Sequence, residues 1–298
     1  MNQNQPLVSI GIPTYNRAAL LKRSIESALN QDYKNIEVIV SDNASTDETE
    51  SVCRFYCDKD TRLKYVRHSK NRGPSANFSD VLKNASGQFF MWLGDDDWID
   101  AAYVTSCVQQ LIRDRTMSLI SGAPKYYRNG QRVGDGKVFC LLHDAWWYRV
   151  ISYYGQVTDN GMFYGLMRTA QIRKIKMPNT MGGDWLMIAN IVYTGKAKVI
   201  PEISVHRELG GATASYRHIA ATFGISKIQA MFPMSSIAIS AWTDIVKNGA
   251  VYKVRPILGR LVVGCAVFVV IMAKRPLRYL RAAKKRIRKF SLSRLDSL

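Results

Sequence analysis

The feature that most constrains this chain is an alternation, over residues 7–93, of short apolar runs with segments of helical spacing. Residues 7–12, 36–40, 63–67 and 89–93 are rich in β-branched and aromatic side chains and read as strands. Between the first two, Leu20, Leu21, Ser24, Ile25, Ala28 and Leu29 recur at helical spacing. Asp42-Asn43-Ala44-Ser45 opens a second helix with capping residues, and Asn71-Arg72-Gly73-Pro74 precedes a third over residues 75–84. Strands separated by helices require crossover connections, which predicts an α/β fold with a mostly parallel central sheet flanked by helices. Such sheets bind ligands in the crevice beyond the carboxyl ends of their strands. The segments after strands one, two and four are residues 13–17, 42–46 and 95–97, so the unusual polar residues converge on one edge.

The last of these segments is Asp95-Asp96-Asp97. Three neighbouring carboxylates raise one another's pKa unless a cation sits among them. Oxygen-only ligands suit a hard divalent ion, Mg²⁺ or Mn²⁺, that keeps positions open for phosphate oxygens. A solvated acidic turn capping the next helix is the plainer alternative.

Beyond residue 120 the pattern loosens. Residues 145–154, AWWYRVISYY, are aromatic-rich and helical in spacing, and Gly182-Gly183-Asp184-Trp185 starts a helix running to Tyr193. Residues 197–205 form a strand ending at His206, and residues 219–248 form one or two helices. The expected division is a domain over residues 1–215, with halves 1–115 and 116–215, followed by a helical region over 216–298.

The stretches SIGIPTYNR (9–17), VSDNASTDET (40–49), NRGPSAN (71–77) and LGDDDW (93–98), in this order, resemble the family-2 glycosyltransferases of GT-A fold. The resemblance is strongest over residues 7–115 and extends more weakly to about residue 210. It implies a nucleotide-diphosphate sugar donor, typically UDP-linked, an inverting transfer and a divalent metal, Mn²⁺ or Mg²⁺. On this resemblance Pro13, Thr14, Tyr15 and Arg17 form the loop that encloses the base, Arg17 also reaching the diphosphate, and Asp42 recognises the base. Arg72 and Gly73 lie in a loop over the nucleotide. The family commonly has Asp-x-Asp-Asp where this chain has Gly94-Asp95-Asp96-Asp97, which leaves Asp96 as the direct metal ligand, Asp95 toward ribose and Asp97 as ligand or support. Asp184 matches the acidic residue that acts as base at the acceptor, without the Glu that often precedes it. His206 is a further metal-ligand candidate, Arg207 a diphosphate contact, and Trp98 and Trp185 candidate acceptor-site walls.

A divalent ion bridging both phosphates would stabilise the charge developing on the leaving nucleoside diphosphate. Inversion needs a base opposite that leaving group. If Asp184 only caps its helix, the helix dipole lowers its pKa. The aromatic residues Trp146, Trp147, Tyr148, Tyr153 and Tyr154 read mainly as packing of a subdomain, with stacking on sugars or a bilayer interface as alternatives.

Charge completes the reading. Of 298 residues, 42 are Lys or Arg against 23 Asp or Glu, a net charge of +19, and 47% hydrophobic content with 22% charged residues excludes wholesale disorder. Residues 253–298 hold 13 Lys or Arg and one acidic residue, Asp296. They include an apolar run, 261–273, followed by a basic amphipathic tail, 274–290. A run this short falls below the usual spanning length of about 20 residues. Lys and Arg interleaved with apolar residues suit an anionic membrane interface. Nucleic acid is disfavoured because no recognised binding motif is present. Five scattered cysteines and an N-terminus without an apolar leader point to reduced thiols and a cytoplasmic body. The expectation is therefore a peripheral or monotopic enzyme on the cytoplasmic side of a membrane, acting on a glycan or lipid-linked acceptor in surface polysaccharide assembly. A polyprenyl-phosphate glycosyltransferase is the nearer alternative; a non-catalytic membrane or nucleic-acid binding module on a transferase fold is the alternative of another class.

Overall fold

The computed structural model of the chain describes residues 5–210 and 215–274. Its first four strands form at the expected apolar runs: β1 (Val8–Thr14), β2 (Ile36–Asp42), β3 (Leu63–Arg67) and β4 (Phe89–Trp92). The crossovers are α1 (Ala18–Leu29), α2 (Thr49–Lys59) and α3 (Pro74–Asn84). β1 pairs in parallel with β2 and with β4, and β2 with β3. Every residue of β1 and β2 is buried, as in a sheet covered on both faces. β1 continues through Pro13, where the sequence predicts a stop. Val8 N donates to Asn35 O on the β2 side, so alternation turns the Pro13 nitrogen toward β4, whose ladder ends opposite Gly11. The missing donor therefore breaks no hydrogen bond.

The second half is not parallel throughout. It contains β5 (Trp98–Ile99), α4 (Tyr103–Arg113), β6 (Met117–Arg128), β7 (Gln131–Asp135), β8 (Cys140–Leu141), α5 (Trp146–Gln156), a 3₁₀ turn (Gly161–Tyr164), β9 (Leu166–Arg168), α6 (Thr169–Ile172), α7 (Gly183–Thr194) and β10 (Lys196–Glu208). The sheet order is β3-β2-β1-β4-β9-β6-β10-β5, with β7 beside β6 and β8 beside β10. β9 runs antiparallel to both β4 and β6, while β6 and β10 are parallel. The parallel expectation thus holds for the first four strands, and the short β9 reverses direction between the halves.

Two cores sandwich the sheet. Val8, Ile10 and Ile12 face α1 and α4, with Leu21, Ile25, Val104 and Leu111. Phe90 and Trp92 point the other way, against α3, α5 and α7. Gly11 is required by this packing, because a Cβ there would lie 2.0 Å from Val81 Cγ1 of α3. α7 is buried on nearly every side, which explains its near-continuous apolar sequence. The second core is completed by α10 (Pro233–Thr243), a π-helical turn (Asp244–Asn248), a 3₁₀ turn (Ala250–Val254) and the 18-residue helix α11 (Ile257–Lys274); α8 (Tyr216–Phe223) and α9 (Lys227–Met231) precede them. Both cores run across residue 115. Apart from Lys274, the basic tail 274–290 lies outside the described residues.

Candidate active site

The strand ends converge as the alternation requires. The loop after β1 is laced to the loop after β2: Asn16, in the left-handed region at φ 52°, takes the Thr46 amide on Oδ1 at 2.7 Å, and its own amide donates to Ser45 Oγ at 2.9 Å. Asp47 Oδ2 accepts from the Ala18 amide at 3.1 Å and fixes the start of α1. Tyr15 is left exposed and Arg17 partly exposed at the mouth, whereas Pro13 and Thr14 are buried.

The three aspartates follow β4 and face different ways. Asp95 Oδ2 accepts from Thr14 Oγ1 at 2.8 Å. Asp96 Oδ2 pairs with Arg17 Nη1 at 2.9 Å. Asp97 turns inward, taking the Glu208 amide on Oδ1 at 3.0 Å, with Arg207 Nε 3.8 Å from Oδ2. Gly94 permits this turn, since a Cβ there would lie 2.6 Å from Asp97 Oδ2. That contact gives a physical reason for the glycine at the first position of the motif. Desolvation is the main cause that holds Asp95 and Asp97 well above the usual carboxylate range; Asp96 adds to it, and Arg17 and Arg207 oppose it.

The turn is braced by residues the sequence did not single out for function. Ser24 Oγ lies 2.9 Å from the Gly94 carbonyl and 2.6 Å from that of Asp97. Arg23 donates to the Asp96 carbonyl at 2.8 Å and lies 3.7 Å from the centre of the Trp98 ring. The signal was present, because Ser24 is a polar residue on the apolar stripe of α1. Arg23 and the Glu208 backbone gave no such signal.

β10 supplies the far wall. Arg207 donates to the Asp159 carbonyl at 3.0 Å and sits 4.7 Å from the Tyr164 ring centre. Among the described residues its Nε has no hydrogen-bond partner, and it is buried beside Asp97. Desolvation would lower the Arg207 pKa, but Tyr164, Asp97 and Tyr126 outweigh it and keep the guanidinium charged. Asp184 lies in the first turn of α7, after Gly182 in the left-handed region at φ 72°. Its Oδ2 accepts from Asn160 Nδ2 at 2.9 Å, and Tyr153 OH donates to Asn160 Oδ1 at 2.8 Å. Burial raises the Asp184 pKa against the Asn160 bond, the Trp185 amide and the Arg207 charge. This is the opposite of the lowering that a helix N-terminus alone would give.

Several assigned residues sit differently from the sequence expectation. Asp42 is fully buried; Oδ1 accepts from the Ser45 amide at 2.8 Å and Oδ2 from Tyr65 OH at 2.7 Å, so it braces the loop from below. His206 is occupied on both ring nitrogens, by Asp100 Oδ1 at 2.7 Å and Tyr127 OH at 3.0 Å, and neither is free for a metal. Trp98 stacks on the His206 ring at 4.9 Å and carries Arg23, so its faces meet protein groups. Trp185 is buried in the second core and is not an open wall. Arg72 pairs with Asp80 at 2.6 Å, and its amide donates to Asn43 Oδ1 at 2.8 Å. Gly73, at φ 82°, leads into α3 with open space around it.

A cleft of about 710 Å³ opens beside the triplet, lined by Arg17, Arg23, Asp96, Asn129, Glu208 and Gly210 among others. Among the described residues no three His, Cys, Asp or Glu side chains form a ready-made metal cage. The donor set still fits a hard cation, because Mg²⁺-type ions take one or two carboxylates and complete their shell with substrate phosphates and water. Asp96 lines the cleft with Arg17 beside it, whereas Asp97 lies behind it, turned toward the Glu208 amide and Arg207.

Known structures share this architecture. S. aureus TarS 1–349 in complex with UDP superposes with a TM-score of 0.58 at 18% identity, covering 90% of this chain and 91% of that one. The mannosyltransferase PcManGT from Pyrobaculum calidifontis, in complex with GDP-Man and Mn²⁺, gives 0.59 at 19% identity, covering 96% and 81%. The fold is therefore that of the GT-A glycosyltransferases. The family model described as Glycosyl transferase family 2 matches residues 9–177, more than half of the chain, and the chain belongs to that family. GalNAc(5)-diNAcBac-PP-undecaprenol beta-1,3-glucosyltransferase of Campylobacter jejuni is 39% identical over 106 residues, 35% of this chain and 34% of the relative. Glycosyltransferase GlyA of Streptococcus pneumoniae is 26% identical over 178 residues, 59% of this chain and 24% of the relative. The matched region thus spans about a third and a quarter of those two proteins.

Proposed function

We propose that the chain transfers a sugar, with inversion, from a UDP-linked donor to a glycan or lipid-linked acceptor in surface polysaccharide assembly. The observation that carries this reading is the carboxylate triplet at the end of β4, flanked by Arg17 and Arg207, with Asp184 of raised pKa within the field of Arg207. The loop of Pro13, Thr14 and Tyr15 would enclose the base, with Asp42 as its internal brace and Arg72 and Gly73 at its rim. Arg17 and Arg207 would hold the diphosphate, and Asp96 and Asp97 a divalent cation, Mn²⁺ or Mg²⁺. That cation would offset the charge developing on the leaving diphosphate.

Asp184 would accept the acceptor hydroxyl's proton. Its raised pKa makes it a better base than an ordinary surface carboxylate, and Asn160 holds one oxygen so that the other can face the acceptor. Support for the donor class comes from TarS, whose structures include complexes with UDP and UDP-GlcNAc. Support for a lipid-linked acceptor comes from the C. jejuni relative, a glucosyltransferase named for an undecaprenol-linked glycan. With such an acceptor, attachment to the cytoplasmic face of a membrane through the C-terminal segment follows as part of the same reading.

Calorimetry with UDP tests the core of it. Wild type should bind UDP in a Mn²⁺-dependent manner and Asp96→Ala should lose that dependence. Metal-independent binding, or an unchanged Asp96→Ala variant, would remove the metal from the reading.

A further inference from the structure

Helix α11 is apolar on two opposite faces, and among the described residues only one is covered. Val263, Val267 and Ile271 are buried in the second core. Gly264 packs so closely that a Cβ would come 2.9 Å from Val246 Cγ2. Arg260 donates to the Val246 carbonyl at 2.9 Å, and Lys274 Nζ donates to the Val157 carbonyl at 2.6 Å. The helix is therefore tied to the domain near its start, in its middle and at Lys274.

The other face consists of Leu258, Val262, Cys265, Val269 and Ala273, all exposed. Spacings of four, three, four and four residues place them in one stripe, about 22 Å long at 1.5 Å per residue. Leu258 is 71% exposed, Val262 63% and Val269 64%. The face of a helix turned to water is ordinarily polar. Here mean hydropathy over Ile257–Lys274 is 2.2, and only 22% of that segment is buried.

The surroundings point to a lipid surface as the occupant. Residues 253–298 carry 13 Lys or Arg against one acidic residue, a charge that attracts anionic headgroups and repels a second copy of the chain. α5 lies alongside α11: Arg255 sits 5.7 Å from the Trp146 ring centre at one end, and Lys274 bonds Val157 at the other. The same end of α5 as Trp146 exposes Trp147 and Tyr148, side chains suited to a membrane–water boundary.

We propose that α11 is an in-plane membrane contact, its Val263–Val267–Ile271 face packed on the domain and its Leu258–Val262–Val269 face immersed in an anionic bilayer surface. A spanning orientation would strip the first face from the core and break the Arg260 and Lys274 bonds. Core packing and lipid contact are thus two faces of one helix. The inference deepens the proposed membrane attachment and does not depend on the donor chemistry.

The test uses the full chain with vesicles of phosphatidylcholine alone or mixed equally with phosphatidylglycerol. Wild type should sediment with the anionic vesicles, and Val262→Asp/Val269→Asp should lower the partition coefficient at least about tenfold. Both positions are exposed, so its melting temperature should match wild type. UDP binding by the same variant reads the transferase site without lipid: loss of vesicle binding with nucleotide binding intact supports the contact, whatever that nucleotide affinity proves to be in wild type. A spin label on Cys265, with Cys57→Ser and Cys140→Ser, should report a depth of about 5–10 Å, at the headgroup–acyl boundary. Unchanged vesicle binding by the double variant, a label at the bilayer midplane, or a lipid-free dimer that immobilises the label would each overturn the proposal.

Discussion

Asp184→Asn separates a proton-accepting carboxylate from a helix cap. The substitution is nearly isosteric, and the new side-chain amide can still present a carbonyl to Asn160 Nδ2, the bond that Asp184 Oδ2 now accepts at 2.9 Å. Burial raises the Asp184 carboxyl above its unfolded value, so between the two values the folded chain binds the extra proton. Stability then falls as pH rises through that window, and the ionised group opposes folding at neutral pH. At pH above the unfolded carboxylate value of about 4, removing it should leave the melting temperature level or raise it. Turnover should behave oppositely. A positioned general base contributes roughly 10²–10⁴ in rate, equivalent to about 3–5 kcal/mol of barrier. UDP release at saturating donor and acceptor, read beside a thermal melt, gives both quantities. A loss of turnover below about tenfold with the fold intact would refute the base assignment. It would also favour a phosphate acceptor, which needs little help to lose its proton. A fall in melting temperature would refute the account of Asp184 burial.

Two further substitutions test the frame beneath the site. Glu37 of β2 is buried and accepts from Ser9 Oγ, Lys64 Nζ, and the amide and hydroxyl of Ser86. Burial alone would raise its pKa, but these bonds bring it down to about 2. That shift contributes about 3 kcal/mol above the unfolded value, lost as pH falls toward 2. Denaturant unfolding of wild type and Glu37→Gln should differ by about that amount at neutral pH and converge in acid; a constant difference would show that Glu37 acts by packing alone. Gly11→Ala should cost about 1–3 kcal/mol in the same assay, because Val81 of α3 must move to admit the methyl; an unchanged midpoint would contradict the close approach of α3 to β1.

The first half of the chain was legible because its rules are local. Residues 36–40 and 89–93 are buried on both faces and read as apolar runs, the first interrupted only by Glu37, and the polar turns that follow them fall where a parallel sheet places its crevice. Asp95, Asp96 and Asp97 were found for that reason. In the second half α5, α7 and β10 were legible as elements, but the sheet order was not, because it is set at a distance. β9 offers only Leu166, Met167 and Arg168, too few residues to show a period, and its reversed direction is decided by which edge it must fill. Side-chain direction was equally invisible. Motif position puts Asp42 in the crevice, but Tyr65 on β3 and the Ser45 amide draw it inward. His206 lies on the strand that walls the site, yet Asp100, more than a hundred residues earlier in sequence, consumes its Nε2.

The reversed strand β9 also governs the order in which the molecule can be completed. β4 hydrogen-bonds β1 on one side, and among the described residues its other side is paired only by Met167 and Arg168 of β9. A growing chain therefore builds four strands and all three carboxylates of the triplet while the short apolar edge Phe89–Trp92 waits more than seventy residues for its partner. An open, hydrophobic edge is a template for pairing with another chain. The interval between synthesis of β4 and arrival of β9 is thus the window of greatest aggregation risk, and a truncation ending before residue 166 would make that window permanent.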